Sequence, residues 1–281
     1  MNILLTGGTG FTGRALMPML EESGYHVYNV TREKKGVDRE IVWDFFSDFT
    51  GELPGCDVIV HLAAYPYFGP ELLPDQYIVN TLSTTKLAAY AVRHNAYFVL
   101  ASMSGIHQKG IEFIHENSPI VPPNHYAMSK FLAEQVVRAF ASQYSILRIA
   151  GIYGAQGPSH LGLNTSITNA LYKKEIPVLF GPGTAKRNYI SVTDVARWIS
   201  YLVANHQKHR NRQIRTVKEI LYLAGSETMT IEHYLEMITK VLLEESRIIR
   251  MEGSDSPDIV VQPSPFPFKP LSFEDYLKSI L

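Results

Sequence analysis

Short apolar runs alternate with longer amphipathic stretches from the first residues onward. Ile3-Leu4-Leu5, continuing to Thr6, is too short for a helix and stops at glycine, so it reads as a buried strand. Similar runs predict strands over His26–Thr31, Val58–Ala63, Tyr97–Ser102 and Ser145–Ile149. Between them, apolar residues at helical spacing predict helices over Gly13–Glu22, Pro74–Arg93, Tyr126–Ser142 and Thr193–Ala204. A sheet strand near Ile220–Leu223 and a helix over Ile231–Leu243 follow.

Such alternation builds a parallel sheet with helices on both faces, an α/β, doubly wound, Rossmann-type fold. Residues 1–150 carry it and are expected to form a dinucleotide-binding core. From Gly151 to Ile190 glycine, proline and asparagine are frequent and the pattern weakens. Residues 151–281 are therefore expected to form a smaller C-terminal substrate lobe over the carboxyl edge of the sheet, interleaved with returning sheet elements. The basic run His206 to Lys218 reads as a solvated loop, and the proline-rich stretch Gly253 to Pro270 as extended chain against the surface.

Composition narrows the functional classes. With 46% hydrophobic and 19% charged residues the chain can bury a substantial core. A formal charge of -1 gives no electrostatic case for nucleic acid or an anionic membrane. The single cysteine, Cys56, leaves no internal disulfide framework and no cysteine-rich metal site. His107, His115 and His125 match no common zinc spacing, so no metal is expected. The chain starts at a strand without a signal-peptide pattern, and a cytoplasmic setting is expected.

The segment Thr6-Gly7-Gly8-Thr9-Gly10-Phe11-Thr12-Gly13 is the first candidate for chemistry. Gly8, Gly10 and Gly13 satisfy a GxGxxG spacing, and Gly7, Gly10 and Gly13 satisfy GxxGxxG. A strand that turns sharply through glycines into a helix lets the backbone approach a pyrophosphate, which then meets free N–H groups at the helix start. The second predicted strand ends Val30-Thr31-Arg32, with Thr31 where an NAD site usually carries an acid. A guanidinium at Arg32, with Lys34 and Lys35 nearby, can pair with a 2′-phosphate, so NADP(H) is favoured over NAD(H). The alternative is that Arg32 is a polar loop residue.

Tyr126-Ala127-Met128-Ser129-Lys130 is the second candidate. Residues four apart share a helix face, so the phenol and ammonium address one cavity. A phenol with an unperturbed pKa of about 10 needs a neighbouring cation to exchange protons near neutrality. Alone, the spacing is commonplace. It gains weight from the glycine loop upstream and from a strand ending Ala101-Ser102-Met103-Ser104.

The chain resembles an extended short-chain dehydrogenase/reductase of the NAD-dependent epimerase/dehydratase family. The resemblance rests on Thr6-Gly7-x-x-Gly10-x-x-Gly13, His61-Leu62-Ala63-Ala64, Asn80 within Tyr77–Thr81, and Tyr126-x-x-x-Lys130. Leu147-Arg148 through Ile152-Tyr153-Gly154, Arg187–Ala196 and Pro267–Ser272 extend it over essentially the whole chain. It implies that Thr6, Gly7, Gly10, Phe11, Thr12, Gly13, Arg32, Asp44, Leu62, Ala63, Ala64 and Asn80 surround the cofactor, with Asp44 by the adenine. Tyr126 would be the acid/base, and Lys130 would hold the nicotinamide ribose and tune the phenol. Arg187 would contact substrate phosphates or pair with Asp194. Tyr65, Tyr67 and Phe68 would wall the substrate cavity or pack within their loop.

Departures from the family pattern sharpen the reading. Met103 stands where Ser or Thr usually hydrogen-bonds the reacting oxygen, which makes Ser104, and after it Ser102, the candidate donors. Ser104-Gly105 replaces the Asp-Glu pair of the dehydratases, so dehydration is not expected. Ala150-Gly151-Ile152 lacks an asparagine common in sugar-nucleotide enzymes. The expected activity is NAD(P)-linked hydride transfer, by a reductase or epimerase, on a nucleotide-activated sugar or related carbohydrate. A homodimer is the expected assembly. A non-catalytic NADP-sensing or scaffold protein remains the alternative.

Overall fold

The computed structural model describes residues 1–34, 36, 38–48, 52–211 and 216–281, without the side chains of residues 210 and 211. Lys35, Phe49 and part of the basic run lie outside the described residues.

A seven-stranded sheet organises the chain. Its strands are β1 (Asn2–Thr6), β2 (His26–Thr31), β3 (Glu40–Val42), β4 (Val58–His61), β5 (Tyr97–Met103), β6 (Tyr144–Ile149) and β7 (Lys218–Leu223). Their order is β7-β6-β5-β4-β1-β2-β3. β1 pairs in parallel with β2 and β4, β2 with β3, and β4 with β5. The chain reverses direction across the sheet at β1, and doubly wound sheets open a ligand crevice at that point.

Helices α1 (Phe11–Glu22), α2 (Ser83–His94), α3 (His125–Phe140) and α4 (Val192–Asn211) follow the predicted alternation. α2 is preceded by a short turn Pro74–Tyr77 and a π-helical turn Ile78–Leu82, so the single helix expected over Pro74–Arg93 is interrupted. α4 runs well past the expected Ala204, which turns the start of the basic run from loop into helix. β3 was not foreseen. It is three residues long and takes its stability from pairing with β2 rather than from a pattern of its own.

Two compact units emerge. The first contains Met1–Lys109, Pro119–Arg148 and Ala196–Leu221, and the second Gly110–Ser118, Ile149–Val195 and Tyr222–Leu281. Ala196–Leu221 thus returns to the sheet-bearing unit after the second unit has begun. Gly110–Ser118 belongs to the second unit, where its strand Phe113–Ile114 pairs with Val260–Val261. In the first unit Leu4, Ile59, Phe98 and Ile146 of the sheet pack with Leu87, Ala88, Ala133 and Val137 of the helices. In the second, Ile167, Leu179, Tyr234, Ile238 and Phe273 form a separate core. Phe273 sits on a terminal helix, Phe273–Ser279, whose first turn is capped by Ser272. No helix among the described residues is long and apolar enough to cross a membrane.

Candidate active site

The glycine loop leaves β1 and enters α1 with no room for side chains. Gly7 has φ 74°, and a Cβ there would stand 2.7 Å from the Ala63 nitrogen. A Cβ at Gly13 would collide with the Gly7 carbonyl oxygen and lie 2.5 Å from Gly8 Cα. Both obstacles are backbone, so neither can turn aside. The Gly10 N–H donates to the Gly7 oxygen at 2.9 Å, which closes the turn. The first bond into the helix is from Arg14 N to Gly10 O, also 2.9 Å, leaving Phe11, Thr12 and Gly13 in the first turn with N–H groups available to an anion.

Thr6, at the end of β1, ties this loop to β4. Its hydroxyl accepts from Ala63 N at 3.1 Å and meets His61 Nδ1 at 2.6 Å. His61 Nε2 meets Ser83 Oγ at 3.2 Å, and that hydroxyl donates to Val79 O at 2.5 Å. Backbone groups at both ends fix the direction of the chain. Thr6 must donate to Nδ1, so Nε2 carries the imidazole proton. Burial, with Lys130 nearby, pushes His61 down to about 3, and the ring is neutral.

At the adenosine end, Arg32 is exposed just past β2, with no ion-pair partner among the described residues. Thr31 donates to Glu40 Oε1 at 3.2 Å, and Gly36 N donates to Glu40 Oε2 at 3.0 Å. Asp44 is exposed after β3, and its Oδ1 accepts from Phe46 N at 3.0 Å, an Asx turn. Phe45 packs into the core beside Trp43, whereas Phe46 is exposed.

Tyr126 and Lys130 lie one turn apart on α3, which begins at Asn124, whose side chain accepts from Ala127 N at 2.8 Å. Lys130 is 3% exposed and has no hydrogen-bond acceptor among the described residues. Burial pushes its ammonium down to about 8, against the pull of Glu134. Burial also pushes the Tyr126 phenol up to about 12. The Phe68 ring stands edge-on to Tyr126, with centroids 5.0 Å apart.

Two amides brace this helix and the loop after β4. Asn80, on the π turn, accepts from Tyr65 N at 2.8 Å and donates to Ser129 Oγ at 2.9 Å. Ser129 in turn donates to the Tyr126 carbonyl at 2.8 Å. Gln76 donates to Tyr67 O at 2.9 Å, so the Tyr65–Tyr67 backbone is held from two sides. Tyr65 thus enters the site through its backbone, fixed by Asn80.

Ser102 is a correction. Its hydroxyl donates to Glu134 Oε1 at 2.6 Å, and a serine has one proton to give. It belongs to a buried network in which Arg148 grips Glu134 through Nε at 3.2 Å and Nη2 at 2.8 Å. Sequence reasoning missed Glu134, and it met Arg148 only as part of the family resemblance, without a role. Ser104 is buried on a 3₁₀ turn, Ser104–Ile106, that packs against α3, and its hydroxyl has no partner among the described residues. This turn takes Ser104 out of the strict alternation of β5.

Arg187 lies in the second unit. Its Nη1 donates to Lys186 O and Pro257 O, both at 2.7 Å, and its Nη2 to Ser256 Oγ at 2.9 Å. It therefore pins the Ser256–Pro257 segment. The three histidines have separate tasks: His107 meets Pro119 O, His115 accepts from Asn117 N, and His125 meets the Tyr77 hydroxyl. No cluster of three or more metal-ligating side chains occurs among the described residues.

A cradle that admits only glycine, followed by a helix start and a buried ammonium lacking an acceptor among the described residues, fits a dinucleotide with its pyrophosphate on the loop and a ribose at Lys130. Comparison with known proteins agrees. The family model for the NAD dependent epimerase/dehydratase family matches residues 3–216. A GDP-6-deoxy-D-talose 4-dehydrogenase from Aggregatibacter actinomycetemcomitans is 31% identical over 223 residues, 73% of this chain and 72% of its own. A UDP-glucose 4-epimerase from Corynebacterium glutamicum is 23% identical over 275 residues, 86% and 80% of the two chains. The crystal structure of a UDP-glucuronic acid 4-epimerase from Bacillus cereus in complex with NAD has the same fold, with a TM-score of 0.78 over 99% of this chain and 97% of that one at 20% identity. The sequence match and the glycine cradle together place this chain in the NAD-dependent epimerase/dehydratase family of extended short-chain dehydrogenases/reductases.

Proposed function

We propose that the chain catalyses NAD(P)-linked hydride transfer at a hydroxyl-bearing carbon of a nucleotide-activated sugar, as a reductase or a 4-epimerase. The observation that carries this reading is the pairing of Tyr126 with buried Lys130 on one helix face, the ammonium lacking an acceptor among the described residues. When bound, the nicotinamide takes up or delivers the hydride. Tyr126 exchanges the proton of the sugar hydroxyl, and Lys130 holds the ribose while its charge offsets the cost of the phenolate. Ser104 is the hydroxyl available to hydrogen-bond the reacting oxygen. Ser104-Gly105 supplies no acid–base pair for elimination, so dehydration is not part of the reading.

Arg32 supports preference for NADP(H), being exposed at the end of β2 and without an ion pair among the described residues. Exposed Leu82, Val92, Met128 and Leu132 on and beside the packed helices α2 and α3 support a homodimer. A second reading, a dinucleotide-sensing protein without turnover, is favoured by Met103, whose thioether donates no hydrogen bond.

Native mass spectrometry identifies any retained nucleotide, and a panel of UDP-, GDP- and dTDP-sugars with either dinucleotide identifies turnover. On the substrate so found, Tyr126→Phe should abolish turnover while leaving dinucleotide affinity within about twofold. A Tyr126→Phe protein with full turnover would refute the mechanism.

A further inference from the structure

We propose that Glu40 supplies, from β3, the carboxylate that the end of β2 lacks, and so reads the adenosine ribose hydroxyls in opposition to Arg32. The proposal rests on the dinucleotide reading above and concerns which dinucleotide that site selects.

The position of the carboxylate carries it. An acid at the end of the second strand normally accepts from the ribose 2′-hydroxyl. Here that place is Thr31, and its hydroxyl donates to Glu40 Oε1 at 3.2 Å. Glu40 pairs with Asn29 across the β2–β3 ladder. Directly paired residues share a sheet face, and so do residues two apart on a strand, which puts Glu40, Asn29 and Thr31 on one face. That face meets the glycine loop, because a Cβ at Gly8 would collide with the Asn29 side chain. Glutamate has one methylene more than aspartate and starts from a strand roughly 4.8 Å away. Its carboxylate therefore arrives within hydrogen-bond distance of the side chain it replaces.

The carboxylate is also held in orientation. Gly36 N donates to Oε2 at 3.0 Å while Thr31 holds Oε1. A carboxylate so placed accepts from ribose hydroxyls and repels a 2′-phosphate. Arg32, one residue beyond Thr31, does the reverse. Opposite charges at one strand end make discrimination between NAD(H) and NADP(H) a contest between two residues, and each can be removed singly.

Titration of the purified protein with NADH and with NADPH, followed by fluorescence, tests this. Glu40→Gln keeps the size and removes the charge. It should weaken NADH and tighten NADPH, changing the ratio of their Kd values by about tenfold or more. Arg32→Ala should move that ratio the other way. Thr31→Asp added to Glu40→Gln should restore NADH affinity by returning the carboxylate to β2. Glu40 also shapes the Arg32–Gly36 turn, and a purely structural role would change both affinities by one factor. A ratio unchanged in folded Glu40→Gln, checked by its thermal melt, would overturn the proposal. If the unsubstituted protein bound neither dinucleotide, the dinucleotide reading itself would fall, and this proposal with it.

Discussion

Lys130 should write itself into the pH dependence of dinucleotide binding. Its ammonium is buried and pushed down from 10.5 to about 8, which corresponds to about 3 kcal/mol in favour of the neutral amine. In the complex the ribose oxygens accept from the ammonium, so the bound state favours the charged form. Below about pH 8 free and bound protein are both protonated, and affinity is flat. Above it, binding must take up a proton, and Kd rises up to about tenfold per pH unit until the bound-state pKa is passed. If binding restores the ordinary lysine value, the total is on the order of a hundredfold. The other groups facing Lys130 leave this window clear, with His61 pushed down to about 3 and Tyr126 up to about 12. The assay is NADH fluorescence titration from pH 6.5 to 9.5, a range suggested by the roughly pH 8 onset. NADH has no 2′-phosphate to titrate. Lys130→Met should bind more weakly at pH 7 and lose the slope. A slope that persists in Lys130→Met, or a flat profile in the native protein, would refute the assignment.

Other outcomes follow from the same geometry. Glu134→Gln removes the carboxylate that faces the buried Arg148 and should cost about 3–5 kcal/mol, and adding Arg148→Met should recover most of it, as read by thermal unfolding. Ser102→Ala removes one hydrogen bond to a buried carboxylate and should cost about 1.5–3 kcal/mol with turnover retained. Ser104→Ala should instead lower turnover about a hundredfold at nearly constant NADPH affinity, and equal turnover in both serine variants would reject the donor role. Gly13→Ala drives a methyl into the backbone of Gly7 and Gly8 and should weaken both dinucleotides about tenfold or more in equilibrium titration.

Much of this site was legible because its constraints are local. The glycine spacing, its place between a strand and a helix, and the Tyr126–Lys130 interval are fixed by the chain itself. Asn80 was marked through resemblance, but its grip on Tyr65 and Ser129 depends on the π turn that breaks the helix before Ser83. Glu40 went unnoticed because β3 is three residues long and carries no pattern. Ser102 stood behind Ser104 as a candidate donor because the acceptor it in fact meets, Glu134, is far away in sequence, on α3. Two signals for that acceptor were available. Arg148 is a charge inside the apolar run Ser145–Ile149, and a buried charge demands a partner. Glu134 stands two helical turns beyond Tyr126, on the face already marked by Lys130.

That network also accounts for the state of Lys130. A carboxylate one helical turn away should hold an ammonium high, yet the ammonium is lowered. The reason is that Glu134 is already claimed, by the Arg148 fork and by the Ser102 hydroxyl. An anion paired this closely acts on its neighbours as a dipole, whose field fades faster with distance than that of a lone charge. Desolvation acts on Lys130 directly and prevails. Glu134, gripped by Arg148 and Ser102, therefore ties β5 and β6 to α3 as one buried network, and Lys130 one helical turn away keeps its ammonium without a share in it.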